Sequence, residues 1–152
     1  MKKIILSLLL LFAGLTLTEA QTKPYLSLSD AQRINAAATE KAVAEGWNVV
    51  IVILDDGGNL ISLQRMDGVQ VGSIEVAQAK AKSAVFFKRP TKVFEDAMKA
   101  EGGARIATLP NAVGVEGGLP IFKDGIIVGS IGVSGVTSAQ DGIIAAAGIA
   151  AY

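Results

Sequence analysis

The stretch Gly117–Gly135, GGLPIFKDGIIVGSIGVSG, constrains the fold more than any other part of the chain. Asp124-Gly125 stands between two apolar runs. A two-residue hairpin loop needs positive φ at its central residues, and Asp-Gly is among the few pairs that accept it. The prediction is a strand over LPIFK, a tight turn, and a strand over IIVGSIGVSG. That second strand carries Gly129, Gly132 and Gly135, one every third residue. A glycine in a strand interior gives up packing and backbone entropy, so three of them predict that something approaches this backbone closely. A helix, a partner chain or a flat ligand would each serve, and helix-on-sheet packing is the plainest of the three.

A second hairpin is predicted upstream. Val49–Leu54 is a short β-branched apolar run, Asp55-Asp56-Gly57-Gly58 is a turn, and Leu60–Arg65 alternates apolar and polar. Helices are expected around the two hairpins. Ser29 opens one through a Ser29–Gln32 capping box, with Ala31, Ile34, Ala38 and Ala42 as its apolar stripe and Gly46 closing it. Ser73 caps another, Ile74–Phe87, whose inner face is Ala77, Ala81, Ala84 and Val85. Thr91–Lys99 forms a short third helix, with Phe94 and Met98 facing one way. Thr137–Gln140 is a capping box before a small-residue helix over Asp141–Tyr152. Between them Glu101–Val113 reads as a loop leading into a short strand near Ala112–Val115. Hairpins mean antiparallel neighbours, so the order predicts one α+β domain over residues 25–152, an antiparallel sheet with helices packed on it.

Met1–Ala20 has the three parts of a secretory leader: Lys2 and Lys3, an apolar run Ile4–Ala13, and a small polar end TLTEA. Cleavage is expected after Ala20, giving a secreted or periplasmic protein with no membrane span in the mature chain. Lys+Arg and Asp+Glu number 14 each, so there is no basic surplus to grip nucleic acid. The chain has no cysteine and no histidine, which excludes disulfides, thiolate metal sites and Ser-His catalysis. No metal site is predicted.

Few residues stand out chemically. Gly129-x-x-Gly132-x-x-Gly135 has the wrong spacing for a dinucleotide loop, and no βαβ unit follows. Arg65 and Asp67 close the second hairpin. They read either as a structural pair holding the 66–72 loop or as polar groups projecting into a pocket. Lys80 borders the inner face of its helix, either snorkelling to the surface or presenting a cation to a ligand, whereas Lys82 points away.

Four segments taken together, VILDDGGNLISLQRMDG, IEVAQAKAKSA, GGLPIFKDGIIVGSIGVSG and QDGIIAAAG, resemble the GlcG/HbpS family of small haem-degrading-domain proteins. The resemblance implies a profilin-like fold, a five-stranded antiparallel sheet with helices on both sides, and assembly into a homo-oligomer. It also implies a tetrapyrrole such as haem, or a small organic molecule such as an organic acid, as ligand. With no histidine or cysteine, a haem iron would take its protein ligand from Tyr, Met, Lys or a hydroxyl. On this fold Arg65, Met66, Asp67, Lys80, Gly117, Gly118 and Pro120 are expected to converge on one cleft. There Arg65 and Lys80 would attract an anionic ligand, Asp67 would orient Arg65, and the two glycines would expose backbone N–H groups. Three classes of function follow: a non-catalytic binding protein, an enzyme working through Lys80 or Arg65 with Asp67, and an accessory module for a membrane sensor. The missing histidine and cysteine weigh against the enzyme.

Overall fold

The computed structural model describes residues 22–152, so the expected leader 1–20 lies outside the described residues. The elements are α1 (Leu28–Glu45), β1 (Val50–Asp55), β2 (Leu60–Arg65), α2 (Ser73–Phe87), α3 (Thr91–Lys99), a 3-10 turn over Gly103–Thr108, β3 (Gly118–Lys123), β4 (Ile126–Ser134) and α4 (Ser138–Ile149). Both predicted hairpins form. The tight turn between β3 and β4 has Asp124 at φ 50° and Gly125 at φ 77°, as Asp-Gly predicts. The hairpins join through their inner strands, β1 antiparallel to β4, in the order β2-β1-β4-β3.

β1 explains this order. Val49, Ile51 and Ile53 join Ala31, Ile34 and Ala38 of α1 and Ile144 and Ala145 of α4 in one core. Val50, Val52 and Leu54 join Ala77 and Ala81 of α2 in a second core on the opposite face. A strand apolar at every position must be covered on both sides. The α+β class and the two-sided helical cover are therefore as expected.

The expected strand count needs correction, because the described residues form four strands rather than five. The segment near Ala112–Val115 is not a strand. The Val113 N–H donates to Ser83 Oγ at 3.1 Å and the Glu116 N–H to Glu95 Oε2 at 2.7 Å, so side chains take the bonds a ladder would need. Two helix starts also shift. α1 is capped by Ser27 in a box with Asp30, not by Ser29, because Asp30 is placed to bond back to the Ser27 N–H at 3.1 Å. Ser73 lies at the first position of α2 and is buried, where its hydroxyl accepts from the Gln70 carboxamide at 3.2 Å and from the Ser134 hydroxyl at 3.3 Å. The Thr137/Gln140 box on α4 and the left-handed Gly46 ending α1 (φ 70°) form as predicted.

The glycine spacing of β4 has two causes. On its α2 side β4 shows Ser130, Gly132 and Ser134. A Cβ on Gly132 would fall 2.1 Å from the Ala77 carbonyl oxygen, and Ser130 Oγ donates to the Ala81 carbonyl at 2.8 Å. The helix backbone thus rests directly on the strand. Gly129 and Gly135 instead accommodate the neighbouring chain, since a Cβ at either would fall 2.3 Å from the Leu54 or Asn48 carbonyl.

Candidate functional site

Lys80 is the largest fully buried side chain among the described residues, about 1% exposed. Its ammonium donates to Asp141 Oδ2 at 2.7 Å and to the Val133 carbonyl at 3.0 Å. Asp141 stands in the first turn of α4, on the other side of the sheet from α2. The pair therefore ties the two helical layers together around the end of β4. Gly117 and Gly118 make this possible. A Cβ on Gly117, at φ 123°, would fall 2.9 Å from the Lys80 ammonium nitrogen, and one on Gly118 would fall 2.3 Å from the Lys80 carbonyl oxygen. Burial pushes the Asp141 carboxyl above its usual range, against the opposing pull of the Lys80 ammonium and the Val136 N–H.

The structure thus brings together Lys80, Gly117 and Gly118, with buried Pro120 paired opposite Ser130 on the same strand. Lys80 neither snorkels nor faces solvent. Arg65, Met66 and Asp67 lie elsewhere. They leave β2, at the far edge of the sheet, with β1 and β4 between them and β3. Arg65 and Asp67 are exposed and form no ion pair with each other, while half-buried Met66 packs on the α1/α4 core. The seven residues do not share one cleft.

Sequence reasoning missed the residues that hold the 109–118 segment. Ser83 and Glu95 accept the two loop N–H groups already described, and Thr91 Oγ1 accepts the Gly118 N–H at 3.0 Å. Lys99 keeps the Glu95 carboxyl below the usual range, helped by the Glu116 N–H. The available signal was Ser83 and Thr91 at buried helical positions, where a hydroxyl needs a partner. Met98 and Gly114 show how tightly the segment sits: the Met98 sulfur fills the space a side chain on Gly114 would need.

This anchored segment forms one wall of a cleft of about 240 Å³ against α2. Glu75, Gln78, Ala79 and Lys82 line the helix side, and Asn111 and Val113 the loop side. A larger, open cleft of about 400 Å³ lies near the described N-terminus, lined by Lys23, Tyr25, Asp30 and Lys123 among others. No group of three His, Cys, Asp or Glu among the described residues is placed to hold a metal ion. No helix among them is long and apolar enough to cross a membrane.

A haem can be tested against these surfaces. Met66 is committed to the core and the Met98 sulfur to Gly114. Tyr25 is 72% exposed and lines the 400 Å³ cleft with Lys123 and with Lys23, which pairs with Asp56, beside it. A phenolate oxygen is an established class of haem ligand, and lysines suit propionates. The residues fit a haem held at the surface through Tyr25. They do not fit one enclosed and held by imidazole.

Known proteins share this architecture. Protein GlcG of Escherichia coli K12 is 41% identical over 114 residues, spanning 75% of this chain and 84% of GlcG. The crystal structure of the PduOC:haem complex superposes with a TM-score of 0.78 at 32% identity, covering 85% of this chain and 96% of that one. The crystal structure of HbpS gives a TM-score of 0.78 at 30% identity, covering 87% and 93%. Residues 26–150 match the family described as haem degrading protein HbpS-like, and the chain belongs to that family.

Proposed function

We propose that the protein is an exported, non-catalytic binding protein whose ligand is haem or a related tetrapyrrole. The likeness to the PduOC:haem complex over nearly all of that chain carries this reading. The chemistry of the described surface supports it. The cation that sequence reasoning offered to a reaction, Lys80, is sealed in an ion pair, and Arg65 and Asp67 face solvent with no partner group aligned for proton transfer. When bound, the haem would supply redox and ligand-binding chemistry at its iron. The chain's part is to hold it: Tyr25 by its phenolate, Lys123 by its charge. Titration with haemin tests the proposal. A saturable Soret shift, weakened about ten-fold or more in Tyr25→Phe, is expected if that oxygen ligates the iron. No spectral change at tens of micromolar haemin removes the tetrapyrrole.

Export rests on the Met1–Ala20 leader pattern and is tested by fractionating cells that make the full chain. The protein is also proposed to form a homo-oligomer. The small residues of α4 are partly used internally, since Gly148 packs against Ile34 and Ala38 of α1. The support now lies in apolar residues left exposed beside an unpaired sheet edge, Leu60 and Leu63 on β2 and Val71 after it. Light scattering at micromolar concentration returning a monomer mass would refute it.

A further inference from the structure

The cleft between α2 and the 109–118 segment is built differently from the rest of the surface. Glu75, Gln78 and Lys82 follow one another at positions i, i+3 and i+7 of α2, which sets them along one helix face. Elsewhere the described lysines on helices meet acids within one turn: Lys41 with Glu45, Lys92 with Asp96, Lys99 with Glu95. Lys82 has no such acid. Its nearest carboxylate on this face, Glu75, starts two turns away, about 10 Å along the axis. Neither Glu75 nor Lys82 forms an ion pair or hydrogen bond among the described residues. The space between them is bordered by the carboxamides of Gln78, whose Nε2 donates to the Ile74 carbonyl at 3.5 Å and keeps a second N–H free, and of Asn111. Asn111 also makes no side-chain bond there, and it holds a left-handed backbone (φ 64°), a conformation uncommon outside glycine. The wall that carries Asn111 is fixed to the helix by the bond between Ser83 and the Val113 N–H.

We propose that this cleft is a binding site for a small α-hydroxy or α-amino carboxylate. The ligand carboxylate takes the Lys82 ammonium and an amide N–H of Gln78 or Asn111, and its hydroxyl or ammonium donates toward Glu75. A volume of about 240 Å³ equals about eight waters' share of the liquid, room for a molecule of that size. The opposite charges at the two ends favour a carboxylate with a hydrogen-bond donor beside it over a plain anion, because a lone carboxylate gains Lys82 but offers nothing to Glu75. The proposal rests on the reading of the chain as a binding protein, and it adds a second, separate ligand to the tetrapyrrole.

The test is an amide chemical-shift titration of the purified protein with L-lactate and L-serine, with acetate as the probe lacking the donor. Saturable shifts confined to residues 75–83 and 109–114 are expected, with acetate several-fold weaker. Lys82→Gln should weaken lactate about ten-fold and Lys82→Arg much less, as loss of a charge-assisted bond predicts. Asn111→Gly keeps the left-handed backbone and removes only the carboxamide, so it should weaken binding without moving the melting temperature. Shifts that stay linear to tens of millimolar, or that are unchanged in Lys82→Gln, overturn the proposal. Haemin titration of the same variant separates the two ligands. A Soret shift intact in Lys82→Gln, with lactate binding lost, supports two sites. A Soret shift lost with Lys82 assigns the cleft to a porphyrin propionate and overturns the small acid. Lactate binding without any Soret change removes the tetrapyrrole reading and leaves this one standing.

Discussion

Lys80 and Lys82 are two residues apart on α2 and end in opposite environments. Lys80 is sealed between the helical layers with its charge neutralised by Asp141, while Lys82 stands in solvent at a cleft with no partner among the described residues. Two residues turn an α-helix through about 200°, so one side chain faces the end of β4 and the other faces away. The difference teaches that a lysine's role here is set by what the sheet brings to its side of the helix, not by its local sequence. Lys80 is a structural clamp, and Lys82 is chemically free.

The largest expected effect comes from breaking the clamp. Lys80→Met leaves the Asp141 carboxylate buried without its cation and should cost about 3–5 kcal/mol, read as a fall in urea midpoint and melting temperature. Lys82→Met should stay within about 0.5 kcal/mol of the parent. A double variant, Lys80→Met with Asp141→Leu, should recover much of the loss. If Lys80→Met proves as mild as Lys82→Met, the contrast between the two collapses.

The next effect concerns the close seating of α2 that makes the clamp reachable. Gly132→Ala places a methyl 2.1 Å from the Ala77 carbonyl oxygen and should destabilise by about 1–3 kcal/mol. Gly72→Ala, at the open end of the same helix, meets nothing within 4 Å and should be neutral or slightly stabilising. Equal effects at the two positions would show that the helix does not bear on the strand.

pH sharpens the comparison through sign. Glu95, which holds the loop wall of the cleft, titrates below its ordinary 4.5 when folded. Its contribution to stability is present above that value and lost as pH falls through the folded one. Asp141 titrates above its ordinary 3.8 when folded. The folded state then holds that proton more tightly than the unfolded chain, so its contribution declines as pH rises from 3.8 through the raised value. Urea unfolding across the acid range should show Glu95→Gln removing a rising limb and Asp141→Asn removing a falling one. The same sign for both variants would contradict the burial of Asp141.

The smallest effect is local. Ser83→Ala removes the acceptor of the Val113 N–H and should cost about 1 kcal/mol. Amide exchange should quicken at Val113 while the α2 core stays protected. Unchanged protection at Val113 would mean that the loop wall is held by other contacts.

Much of this was legible locally. The Asp124-Gly125 turn, the Thr137 capping box and Gly46 each act over a few residues, so the chain announces them directly. The unbroken apolar run of β1 against the alternation of β2 even carries the information that β1 is interior and β2 an edge. What was hidden depends on distant partners. Asp141 lies 61 residues beyond Lys80, and no spacing rule links them. The dispersal of Arg65 and Lys80 followed from the order β2-β1-β4-β3, since two hairpins can join by either outer or inner strands. Likewise the segment near Ala112 has the composition of a strand, and only the positions of Ser83 and Glu95 in space divert its N–H groups.

The joining of the hairpins has a kinetic consequence. Each hairpin closes over a handful of residues and is complete in local terms, but β1 finds β4 across most of the described chain, with Val50 opposite Ser134. Neither apolar face of β1 has its full cover until that meeting takes place, because β4 brings α4 with it. The search is long, and little is gained before it ends. Folding should therefore be governed by this one pairing, with a rate in the range of about milliseconds to seconds that follows sequence separation rather than helix or hairpin formation. Until it is made, β1 is a bare apolar strand open to any other chain with a free edge.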